Sequence, residues 1–100
     1  MKIYLSGPMR GIPEYNFPAF DAAAKRLRGE GHIVFSPADS DRFMDLIGVP
    51  VNARTCFEID SAYISRHAEA VYVLPGWETS RGAQAEIALA KAIGLPVVFI

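Results

Sequence analysis

The stretch from Ala70 to Ile100 reads AVYVLPGWETSRGAQAEIALAKAIGLPVVFI. Ala70 to Leu74 is a short apolar run that stops at Pro75-Gly76, and Val97 to Ile100 is another. Between them, Ser80 to Ile93 carries apolar residues at helical spacing, and Gly94 and Pro96 end it. A strand, a helix of this length and a second strand make a parallel βαβ unit. The same alternation runs back to the start. Ile3-Tyr4-Leu5 is a first strand that ends at Ser6-Gly7-Pro8. A helix follows from about Phe17 to Arg28, with Asn16 as a candidate cap and Phe17, Phe20, Ala24 and Leu27 as its apolar stripe. His32 to Phe35 is the second strand, closed by Ser36-Pro37. Ala38 to about Asn52 reads as a loop with one helical turn at Phe43–Ile47. The next helix covers about Arg54 to His67, where Thr55 and Glu58 have capping-box spacing.

This βαβαβαβ order predicts one α/β domain over residues 1–100: a three-layer sandwich around a parallel four-stranded sheet, Rossmann-like or flavodoxin-like. The short, almost wholly apolar strands fit a sheet covered on both faces. In such folds ligands bind at the carboxyl ends of the strands. Here that places Ser6–Gly11, Ser36–Asp39 and Pro75–Gly82 around the crevice.

Composition narrows the function. A chain of 100 residues with 51% hydrophobic and 21% charged residues can bury a real core. A net charge of -1 with no Lys/Arg cluster argues against a nucleic-acid polymer as partner. The single cysteine, Cys56, excludes an internal disulfide and reads as a small core residue. The chain opens directly on a strand-like MKIYLSG and has no run of membrane-spanning length, so a cytoplasmic protein is expected.

Two acids interrupt apolar stripes. The helical neighbours of Glu86 are Gly82, Ala83, Leu89 and Ala90; those of Asp60 are Cys56, Phe57, Tyr63 and Ile64. Neither set contains a cation. A carboxylate buried without one is costly and tends to hold its proton. One such residue is more often a stripe-edge acid or a loop cap. Two around one crevice are the equipment of glycosyl transfer, one acting at the anomeric carbon and the other moving a proton. Ser80 and the amides of its helix suit an anion, as well as simple capping. Arg10 reads as a phosphate ligand or a solvated arginine. Trp77 and Tyr15 are candidates to stack on a base, with core or rim packing the commoner role. His32 and His67 lack a nucleophile at a readable spacing, and Asp39, Asp41 and Asp45 read as a solvated loop rather than a cation site.

Together these residues resemble the nucleoside 2-deoxyribosyltransferase superfamily, and especially its compact, often phage-borne members of unassigned activity. Ile3-Tyr4-Leu5-Ser6-Gly7-Pro8-Met9-Arg10-Gly11 is similar to the Y-x-x-G-x-x-R-G first-strand motif, and Gly82 to Ala90 to the G-x-x-x-E-x-x-x-A helix. The resemblance covers nearly the whole chain. It implies that Glu86 is the nucleophile, that Asp60 is its acidic partner, and that Tyr4 and Gly7 shape the sugar site. It implies that Ser80 binds a 5'-phosphate, as in the deoxynucleoside monophosphate N-glycosidase branch, with Arg10 beside it and Gly82 allowing close approach. The implied substrate is a small deoxynucleoside or deoxynucleotide, with no metal and no cofactor. The sequence departs from the family at Pro8, where the nucleotide branch has a hydroxyl residue, and in ending at Ile100, where relatives continue into a segment that completes a neighbour's site. A homo-oligomer is expected. The other readings are a nucleotide-binding module without chemistry and a small assembly protein that pairs through its last strand.

Overall fold

Strand β1 (Lys2–Ser6) lies inside the sheet and divides its side chains between two cores. Ile3 and Leu5 pack with Phe20, Ala23, Ala24 and Leu27 of helix α1 (Phe17–Gly29). Tyr4 turns to the other face, against Ile64 of α3 (Ala53–Arg66) and Ile87 and Ala90 of α4 (Arg81–Ala92). This is the two-residue alternation of a strand, with both faces covered. The computed structural model describes residues 1–100. It adds β2 (Ile33–Phe35), β3 (Ala70–Val73), β4 (Val97–Phe99) and helix α2 (Pro37–Leu46). The strand order is β2-β1-β3-β4 and every pair is parallel. The protein therefore has the expected three-layer, flavodoxin-like α/β fold. No helix is long and apolar enough to cross a membrane.

The chain leaves β1 for β2 on one side and reaches β3 on the other. That reversal opens a crevice above the carboxyl ends of β1 and β3. The loop predicted from Ala38 onward is instead the ten-residue helix α2. Its sequence PADSDRFMDL has no continuous stripe, because only Pro37, Ala38 and Met44 are buried. Pro37 at its first turn is the surviving start signal. The Ser36 hydroxyl before it is buried without a partner. The capping assignment at α3 also shifts. Asn52, not Thr55, is the cap, and its side-chain oxygen accepts from the Thr55 amide at 2.9 Å. Asn16 precedes α1 but does not cap it; its side-chain amide donates to the Pro8 carbonyl at 2.9 Å.

Gly7 closes β1 against the core. A methyl group there would come within 2.8 Å of Leu74 Cβ and 3.3 Å of the Phe20 ring. Gly7→Ala should therefore destabilise the fold by roughly 2 kcal/mol, seen as a fall in melting temperature of about 10 °C.

Candidate active site

The crevice is a cleft of about 1180 Å³, and Glu86 and Asp60 both border it. Glu86 stands on the second turn of α4 and Asp60 in the middle of α3, two helices packed against the same face of the sheet. Each is only 7% exposed. The Tyr4 hydroxyl donates to Glu86 Oε2 at 2.7 Å. The Ser6 hydroxyl donates to Glu86 Oε1 at 2.7 Å. Residues two apart on β1 thus place one O–H on each oxygen of the same carboxylate. Both are fully buried, and Tyr4 is further fixed by rings of Phe35 at 5.6 Å and Tyr63 at 6.4 Å.

Burial raises both acids. Asp60 is pushed up to about 7 by desolvation and then by the nearby Glu86 charge. Glu86 is raised to about 7 by desolvation, against the opposing pull of the Tyr4 and Ser6 hydrogen bonds. The Tyr4 hydroxyl lies close enough to Asp60 to hold that carboxyl down as well. Desolvation and the two carboxylates together raise the Tyr4 phenol well above its usual range, so it stays a donor. The hydroxyl pair favours ionised Glu86, and Glu86 in turn favours a proton on Asp60. Ser6→Ala removes one charge-assisted hydrogen bond and should raise the Glu86 pKa by about one unit. Carboxyl carbon shifts followed by NMR across pH would show it; an unchanged titration would refute the assignment.

The other predicted residues divide. Ser80 caps α4, accepting from the Ala83 amide at 3.1 Å, and also lines the cleft. Its hydroxyl proton is left free to donate outward. Gly82 lines the cleft, and a methyl there would meet open space. Arg10 is exposed on the cleft wall and makes no ion pair within the chain. Gly7 borders the cleft too, but its need for glycine comes from Leu74 on the core side. Trp77 packs on Phe99 at 5.2 Å between ring centres and does not line the cleft. Tyr15 does line it, 64% exposed at the rim.

Tyr15 is set by an unusual turn. Glu14, Tyr15 and Asn16 have φ of 57°, 52° and 61°. Left-handed backbone costs a residue with a side chain about 1 kcal/mol or more. The Asn16–Pro8 bond and the Tyr15 amide, which donates to the Ile12 carbonyl at 3.0 Å, hold the turn against that cost.

Two residues of the site gain their roles only in the fold. The sequence puts Ser6 at the crevice without a partner, although its spacing from Tyr4 puts both on one strand face. Asp41 lay in the segment read as a loop; on α2 it reaches the cleft beside Cys56, with the thiol donating to Asp41 Oδ1 at 3.6 Å. Asp39, read as part of a solvated loop, is instead exposed in the first turn of α2, where it pairs with Arg28 and Arg42. No group of three or more His, Cys, Asp or Glu side chains is placed to hold a metal ion.

No curated protein matches the chain. Its residues 1–99 match the family model described as "Domain of unknown function (DUF4406)", and over that span the chain belongs to this family.

Proposed function

We propose that the protein is an N-glycosidase or deoxyribosyltransferase of the nucleoside 2-deoxyribosyltransferase type, acting on a 2'-deoxynucleoside 5'-monophosphate. The observation that carries this reading is the Glu86 carboxylate, held at both oxygens by Tyr4 and Ser6 and facing a cleft it shares with Asp60.

Glu86 attacks C1' as the bond from C1' to the base nitrogen breaks. The bonding electrons leave on that nitrogen, and Asp60 supplies its proton. The products of this half are a neutral base and a deoxyribosyl ester of Glu86. Water then attacks C1', Asp60 takes its proton, and the ester oxygen returns to Glu86 as carboxylate. The net reaction consumes one water and releases the base and deoxyribose 5-phosphate. A second base in place of water gives transfer. The Ser80 hydroxyl, the first amides of α4 and Arg10 are the groups available for the 5'-phosphate.

The active form carries one proton on the carboxyl pair, with Glu86 ionised and Asp60 protonated. Both groups are raised to about 7, so kcat/KM should fall on either side of neutrality. Chromatographic base release from deoxynucleoside monophosphates over a pH series measures it. Binding without turnover on long incubation would instead establish a recognition module.

A further inference from the structure

Asp41 is a carboxylate the mechanism above does not use. It is partly buried on the cleft wall and makes no ion pair. Arg42, next to it in sequence on α2, turns away to bond Asp21 and Asp39. The one polar partner of Asp41 is the Cys56 thiol on Oδ1. Burial and the adjacent Asp41 push that thiol up to about 11, so it stays protonated and acts as the donor. Oδ2 is left without a partner in a cleft large enough for a nucleotide. A partly desolvated carboxylate with a vacant acceptor is suited to an N–H group brought by a ligand.

Topology says which part of the ligand that is. Helix α2 follows β2 on one side of β1, and α4 follows β3 on the other. Asp41 and Ser80 therefore stand on opposite sides of the Tyr4–Glu86 pair. With the phosphate at Ser80 and C1' at Glu86, the base points away from α4, past Asp60. Cys56 lies on the same face of α3 as Asp60, four residues and about 6 Å nearer its start. Asp41 is thus beyond Asp60, where the far edge of the base arrives.

We propose that Asp41 reads the edge of the base opposite the glycosidic bond and selects bases that carry an exocyclic amine there, namely cytosine and adenine. An amine donates to the free Oδ2. An oxo group in the same place sets one acceptor against another. The inference rests on the deoxynucleotide reading above and adds the substrate class to it.

Two matched pairs test the amine: dCMP against dUMP, and dAMP against dIMP. Each pair exchanges an amine for an oxo group at that edge, and the adjacent ring nitrogen changes with it from acceptor to N–H donor, so a carboxylate that reads the ring N–H instead would favour the oxo member. Binding is measured by calorimetry and base release by chromatography, for the full chain and for Asp41→Asn and Asp41→Ala. The wild type should favour the amine member of each pair by about ten- to hundredfold. Both variants should narrow that ratio to within about threefold, with melting curves confirming that they fold. A preference for the oxo members, or ratios unchanged in both variants, would overturn the role of Asp41 while leaving the enzyme reading in place. Failure of the wild type to bind or cleave any of the four would overturn both.

Discussion

Glu86→Gln should reduce base release by at least about 10³-fold while leaving the fold intact. The amide is nearly the same size as the carboxylate. It can still accept from one of the Tyr4 and Ser6 hydroxyls and donate to the other, whose O–H turns elsewhere. What it lacks is the negative oxygen that bonds to C1'. The loss should therefore appear in kcat, with nucleotide binding retained within a few-fold. Chromatography of product and calorimetric titration of substrate separate the two effects. Equal base release by wild type and variant would remove Glu86 from the chemistry.

Asp60→Asn should stabilise the protein as it disables it. The folded pKa of Asp60 is about 7, against an unfolded value near 4. An acid whose pKa rises on folding contributes its stability at low pH and loses it as pH climbs through the folded pKa. At about pH 8, ionised Asp60 is therefore a burden on the fold that asparagine does not carry. The expected gain there is on the order of 2 kcal/mol, or about 10 °C in melting temperature. It should shrink as pH falls and be nearly absent at about pH 4, where neither folded nor unfolded wild type holds the full charge. Melting curves at both pH values decide the matter. A variant less stable than wild type at both would mean that Asp60 earns its burial through hydrogen bonds rather than function.

The sheet was legible because each strand is an apolar run with punctuation: Ser6-Gly7-Pro8, Ser36-Pro37 and Pro75-Gly76 mark the ends of three of them. The acids Asp60 and Glu86 were legible because their helical neighbours contain no cation, a pattern that survives whatever the tertiary structure does. Helix α2 was not, because most of its surface faces water or the cleft and only three residues enter the core. Periodicity reports burial, and α2 buries too little to register. Missing α2 concealed Asp41, since a residue in a presumed loop has no face to assign. Ser6 escaped for a different reason. A serine at the end of a strand is usually a turn residue, and only the location of its partner, eighty positions away on α4, gives it another role.

The alternation of Tyr4 and Ser6 along β1 governs how the proposed activity can be lost and varied. Both hydroxyls that orient Glu86 ride on a strand hydrogen-bonded on both sides. Such a strand exchanges its amide protons slowly, through opening of much of the sheet rather than local fraying. The oriented carboxylate is therefore present whenever the domain is folded and absent whenever it is not, with little room for a folded but misaligned state. The α2 wall, which carries Asp41 and enters the core at only three residues, is free of that constraint. Substitutions there could reshape the cleft with small effects on folding, so that under the proposed function the reaction would be inherited with the fold while the choice of substrate is left to drift.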